Sequence, residues 1–308
     1  MTEDVYLILP DTVRNRLAKM SSSEIHRIEE IRLRIGLPVE VVIENRSFFL
    51  DEGQRFGKEE ATILMNRLSM HSLYTLEEEI RRGYITIKGG HRVGIAGKVV
   101  LDRGNVKHIR DVASFNIRIA RQILGAANGV LPLLVEKGQV KSTLIISPPQ
   151  CGKTTLIRDI ARQLSYGTKG FPGKKVSIVD ERSEIAGCVN GIPQKDVGPR
   201  TDVMDGCPKA EGMMMMIRSM SPDVIITDEM GRPEDSYAIE EAIHAGIAVI
   251  TTVHGKNLKD VMRRPVLSRL AQSGVFQRYL ILGRQPRVGT ITFMYDENLA
   301  ECRFRVAK

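Results

Sequence analysis

Apolar and polar positions alternate through much of the first third of the chain, and later give way to short, uninterrupted apolar runs. From Glu29 to Leu50 the period is two: Ile31, Leu33 and Ile35 alternate with Arg32 and Arg34, and Val39, Val41 and Ile43 follow Pro38. This spacing predicts half-buried strands in a small sheet. Ahead of it, residues 5–20 read as a strand or short helix and then a helix begun by Asp11, with Ser23 as the expected N-cap of the next turn. Gly57 to Arg82 returns to helical spacing, with Ile63, Leu64, Leu68, Leu73 and Leu76 as the expected buried stripe. Gly83 to Arg121 is strand-rich again, and Gly89-Gly90 and Asp102-Arg103-Gly104-Asn105 have the composition of hairpin corners. Residues 1–121 are therefore expected to form a mixed α+β domain, joined through residues 122–130 to a second domain at 131–308 that opens with a short helix, Val130 to Glu136.

The second domain has a different grammar. Four apolar runs, Thr143–Ile146, Lys175–Asp180, Val224–Asp228 and Ile247–Val253, are separated by long helical stretches. Crossovers of that length join parallel strands and put helices on both faces of the sheet. The expected fold class is α/β: a core domain with a mainly parallel sheet, behind the smaller α+β domain. Residues 275–306 are expected to close the sheet edge as an antiparallel meander. In such a sheet the chemistry collects at the C-terminal strand ends.

The first run ends in Ser147-Pro148-Pro149-Gln150-Cys151-Gly152-Lys153-Thr154-Thr155 and opens into a helical pattern. A nucleoside triphosphate carries about four negative charges, and backbone N–H groups converging at a helix N-terminus can replace the water that solvates them. Lys153 is expected on the β- and γ-phosphate oxygens and the Thr154 hydroxyl on Mg²⁺. The general pattern has glycine at 147 and often at 150, so Ser147 and Gln150 are its two departures. Cys151 inside the loop is compatible with a spacer or with redox chemistry.

Val224-Ile225-Ile226-Thr227 ends in Asp228-Glu229, two adjacent acids at a strand end, the pattern of a Walker B element. Their mutual repulsion and desolvation need a cation or a reacting water to offset them. Asp228 is the expected Mg²⁺ partner and Glu229 the expected base for the attacking water. Asp180-Glu181-Arg182 ends the second run and Thr251-Thr252-Val253-His254 the fourth. His254 can sense the γ-phosphate, bond the acids, or simply close a strand.

Composition narrows the partners. The formal charge is +8, yet the 45 basic residues are spread along the chain rather than clustered. Aromatic residues make up 5% and Trp is absent, which leaves no base-stacking platform, so no nucleic acid is expected. The four cysteines form no C-x-x-C pair, and a reducing cytoplasm is the expected compartment. No run approaches the roughly 20 apolar residues of a spanning helix, and Met213 to Met216 read as adaptable packing.

The order of phosphate loop, acidic box, Walker B and histidine box resembles the secretion-type ATPases of type II and type IV machines. Longer strings, GGHRVGIAG, SFNIRIAR, VDERSEIAG, SPDVIITDEMGR and TTVHGKN, are similar to the stage III sporulation protein AA family of endospore-forming bacteria. That resemblance implies an ATPase that forms a ring, with six subunits the expected number. It implies a site in the mother-cell cytoplasm, peripheral to the membrane through protein partners, and a role in energising the channel to the forespore. It also implies that arginines of the first domain reach the nucleotide, with Arg118 and Arg121 the matching positions and Arg92 and Arg200 secondary. Glu181 and His254 join the catalytic group by their own places at strand ends, and the fold expected for residues 131–308 is a RecA-like P-loop NTPase core. The alternatives are a non-hydrolysing, nucleotide-dependent assembly scaffold and a nucleic-acid motor.

Overall fold

Alternation builds the first unit of the chain. The computed structural model describes residues 3–44, 46–69, 80, 83–102, 105–120, 122–168 and 170–304, and the chain divides into two compact units, Met1–Arg121 and Gln122–Lys308. Pro10 separates two short helices, Glu3–Ile8 and Asp11–Leu17. Ser21, not Ser23, caps the next helix, Ser22–Arg27. Its hydroxyl accepts the Glu24 N–H at 3.3 Å while the Glu24 carboxylate accepts the Ser21 N–H at 2.9 Å, a reciprocal capping box.

Six strands follow: β1 (Ile28–Arg34), β2 (Val39–Ile43), β3 (Arg46–Leu50), β4 (Tyr84–Ile87), β5 (His91–Asp102) and β6 (Asn105–Arg118). They form an antiparallel sheet in the order β3-β2-β1-β6-β5-β4. Ile31, Leu33, Val41, Val93, Phe115 and Ile117 are buried in one core with Leu9 of the first interhelical link and Leu17, Leu64 and Leu68 of the helices, while Arg32 and Arg34 alternate outward. Helix Lys58–Ser69 buries Ala61, Leu64 and Leu68, but Ile63 is 42% exposed because it lies off that stripe. Leu73 and Leu76 lie outside the described residues, as does the Arg103-Gly104 corner between β5 and β6.

In the second unit the expected opening helix shortens to Leu131–Leu134, since Val135–Glu136 (β7) and Gln139–Val140 (β8) pair as a small hairpin. The remaining strands are β9 (Thr143–Ser147), the hairpin β10 (Gly167–Thr168) and β11 (Phe171–Pro172), β12 (Val176–Asp180), β13 (Thr201–Asp205), β14 (Val224–Thr227), β15 (Ala248–His254), β16 (Arg278–Gly283) and β17 (Thr290–Asp296). The main sheet runs β13-β12-β14-β15-β9-β16-β17, and all but β17 are parallel. The parallel set is thus larger than the four expected strands. β16 lies parallel to β9 instead of opening an antiparallel meander, and only β17 turns back. The expected final strand, AECRFRV, contributes an isolated bridge between Tyr295 and Glu301 among the described residues.

Successive residues of the central strands feed opposite cores. Ile145, Ile226 and Ile250 pack with Leu156, Ile157, Ile160 and Leu164 of helix Lys153–Tyr166. Leu144, Ile146, Ile225 and Val249 pack on the other face with helices Lys209–Ser219, Pro233–His244 and Pro265–Gln272. Each such side chain contributes about 1.5–3 kcal/mol when fully buried. Met213 and Met216 belong to this second core, whereas Met215 is 46% exposed. Gly212 allows close contact with the sheet, since a Cβ there would stand 2.6 Å from Val179 Cγ1.

Candidate functional site

The phosphate loop leaves the sheet from β9, between β15 and β16, and every residue of β9 is buried. Ser147 is its last strand residue, so that position keeps an ordinary extended backbone and needs no glycine. Gln150 is different: its φ is +58°, in the left-handed region that glycine occupies freely. Gly152, at φ +78°, is the N-cap of helix Lys153–Tyr166, with no side chain capping the helix. The first N–H groups of the helix are therefore available to an anion. Arg284, from the β16–β17 connection, donates to the Pro149 carbonyl at 3.0 Å. Cys151 is buried, and all four cysteines are free thiols.

A cavity of about 330 Å³ lies over this loop, lined by Gln150 to Thr155 and by Arg182, Glu184, Asp228, Glu229, Thr252 and His254. The strand ends thus bring the loop, Asp228, Glu229 and His254 to one place. Lys153 Nζ stands 3.0 Å from His254 Nδ1 and 3.3 Å from the Pro148 carbonyl. Burial pulls its ammonium below the usual lysine range, opposed mainly by Glu229. An ammonium only donates, so Nδ1 accepts and the network assigns the ring proton to Nε2. Nε2 faces Glu229 Oε1 at 3.5 Å. Glu229 Oε2 in turn accepts from Arg182 Nη1 at 2.9 Å, and the Glu229 N–H donates to Thr252 Oγ1 at 2.9 Å. At φ +22° the Glu229 backbone is strained, and these contacts hold it.

Asp228 is only 6% exposed, and its Oδ1 is buried with no hydrogen-bond partner. Burial pushes its carboxyl above the usual range, and Lys209, 3.6 Å away, is the leading opposing influence. Lys209 is itself 6% exposed and also reaches Glu181 Oε2 at 2.9 Å and the Glu229 carbonyl at 3.1 Å. Among the described residues, no cluster of three or more His, Cys, Asp and Glu side chains is arranged to hold a metal alone. The orphaned Asp228 oxygen and the Thr154 hydroxyl fit a Mg²⁺ that takes its other ligands from phosphate and water.

Asp180 and Glu181, of the same unit, are not among the residues that line the cavity. Asp180 is buried and saturated: it accepts the N–H groups of Glu184, Ile185 and Ala186 at 2.8–2.9 Å. Glu181 does not line the cavity; its contact with Lys209 holds its carboxyl below the usual range. Arg118 is on β6 of the first unit, with Glu30 at 3.5 Å, and Arg121 is outside the described residues. Arg200 binds the Ser165 carbonyl at 2.9 Å, and Arg92 stacks over Tyr84. Sequence reasoning passed over Lys209, Glu184 and Arg284. The run C-P-K gives no sign that this lysine is buried, although its place at the start of an amphipathic helix that packs on the sheet was available.

A profile of the family described as sporulation stage III, protein AA matches residues 1–301. Stage III sporulation protein AA of Bacillus subtilis strain 168 is 52% identical to the chain over 291 residues, which covers 94% of each. Among solved structures, the Legionella pneumophila ATPase DotB superposes with a TM-score of 0.59 at 16% identity, over 89% of this chain and 76% of its own. The pilus retraction motor PilT, solved with bound ADP, superposes with a TM-score of 0.59 at 19% identity, over 91% of this chain and 80% of its own. At these identities the structural likeness establishes the fold, that of the P-loop secretion-type ATPases.

Proposed function

Because the chain belongs to the stage III sporulation protein AA family, we propose that it binds Mg²⁺-ATP at the end of β9 and hydrolyses it to drive a membrane-associated channel between mother cell and forespore. The observation that carries this reading is the single cavity lined by Lys153, Thr154, Asp228, Glu229 and His254. Backbone N–H groups from Gln150 to Thr155 hold the phosphates, with Lys153 leaving its Pro148 and His254 contacts to neutralise the β- and γ-oxygens. Thr154 and Asp228 would hold Mg²⁺, which would supply charge neutralisation at the phosphates.

Glu229 orients a water and takes its proton as the water oxygen bonds to the γ-phosphorus and the bond from that phosphorus to the bridging oxygen of ADP breaks. His254 lies between Lys153 and Glu229, so it links occupancy of the loop to the base. Glu181 positions Lys209, and Lys209 positions the Asp228-Glu229 pair. The subunits assemble into a ring of six, to which Arg118 and Arg121 of the first unit contribute guanidinium groups. The protein sits at the membrane through its partners in the mother-cell cytoplasm.

Phosphate release and particle mass, measured in each nucleotide state for the parent chain, Lys153→Ala and Glu229→Gln, test the proposal. The expected result is turnover by the parent alone, nucleotide binding without turnover by Glu229→Gln, and neither by Lys153→Ala. Nucleotide-dependent assembly with no phosphate release from the parent would instead establish a scaffold.

A further inference from the structure

The segment that follows β12 is fastened through both kinds of backbone group. The Asp180 carboxylate accepts the N–H groups of Glu184, Ile185 and Ala186. Arg158, on the helix that starts at the phosphate loop, donates to the carbonyls of Ile185 and Glu184. The backbone around Arg182 is thus tied to both the sheet and the phosphate-loop helix. Its side chain is 61% exposed, and it lines the cavity that Lys153 and Thr154 also line.

In the structure this guanidinium is paired with Glu229 Oε2 at 2.9 Å. The residue placed to activate water is therefore held by a cation before any nucleotide arrives. A solvent-exposed ion pair is weak. A triphosphate brings to the same cavity several oxygens that match the guanidinium fork at least as well as a carboxylate does.

We infer that Arg182 is a catalytic residue supplied within the same chain: on triphosphate binding it leaves Glu229 and donates to the terminal phosphoryl oxygens. The inference rests on the ATPase reading of this site. It adds a second coupling beside that of His254, because Arg182 releases Glu229 to take a proton from water only when a γ-phosphate is present to hold the guanidinium. A diphosphate, lacking those oxygens, leaves Glu229 paired.

The test uses the full chain with Mg²⁺ and compares the parent with Arg182→Ala and Arg182→Lys. Calorimetry measures binding of ADP and of the β,γ-imido analogue of ATP, and phosphate release is measured in parallel. Arg182→Ala is expected to lose affinity for the imido analogue by about 10-fold while changing ADP affinity less than about 2-fold. Its turnover is expected to fall by about 10²-fold or more. Arg182→Lys should recover only part of both, since an ammonium lacks the fork. Equal loss for the two nucleotides, unchanged affinity for the imido analogue, or a rise in turnover would each overturn the inference and leave the ATPase reading in place. A parent chain that binds neither nucleotide would overturn both.

Discussion

Two neighbouring strands, β12 and β14, end in the same way in sequence and differ in what the acid does. Both are fully buried apolar strands that run into an acidic pair, Asp180-Glu181 and Asp228-Glu229. At β12 the chain curls back and delivers three backbone N–H groups to the Asp180 carboxylate, which is thereby satisfied and structural. At β14 no backbone returns to Asp228 Oδ1, which stays buried, unbonded and only loosely countered by Lys209. A buried carboxylate that is fully hydrogen-bonded organises its own loop. One left with an open valence faces a cavity and has capacity to spare for a ligand.

Substitution should separate the two most sharply. Asp228→Asn and Glu229→Gln are expected to lower phosphate release by about 10²–10⁴-fold while the midpoint of thermal unfolding holds or rises. Asp180→Asn puts an amide N–H₂ against N–H donors and should cost about 2–4 kcal/mol in denaturant unfolding. An Asp180→Asn chain of undiminished stability would break the distinction. Lys209→Met, which strips the buried cation from Asp228, Glu181 and the Glu229 carbonyl together, is expected to cost about 3 kcal/mol by the same measurement.

A smaller effect should appear with pH. Lys209 holds the Glu181 carboxyl below its ordinary value of 4.5, so the native state favours the charged form. That contribution is complete above the unfolded-state value and is lost as pH falls through the lower native one, with a size of about 1 kcal/mol. Urea midpoints of the parent and Glu181→Gln should therefore converge as pH drops below 4.5. The smallest effect expected is at the loop itself. Gln150→Gly relieves a left-handed backbone and should add about 1 kcal/mol or less, whereas Ser147→Gly should add nothing.

Much of this was legible in the sequence. β9, β12, β14 and β15 announce themselves because a strand covered on both faces must be apolar throughout. The phosphate loop and the Asp228-Glu229 pair follow from their place at strand ends. The edge strand β13, T-D-V-M-D, escaped because all five residues are only half-buried and carry no apolar run. β16 was recognised as a strand, but its direction depends on β9, and a one-dimensional pattern carries no direction. The Ser21-x-x-Glu24 capping box was readable and lost to the neighbouring serine. Asp180 and Asp228 could not be told apart, since the difference lies in whether the following backbone turns back, and Lys209 looked like any surface lysine.

The strand order has a consequence for the newly made chain. β9 is the first strand of the main sheet to be synthesised, yet its two neighbours, β15 and β16, are among the last. The pin from Arg284 to Pro149 spans 135 positions. Chains emerge from the ribosome N-terminus first, so the phosphate loop waits, unsupported on both sides, until β15 and β16 have been made. A chain that stops short of β15 and β16 therefore carries the phosphate-loop motif without the two strands that flank it in the sheet.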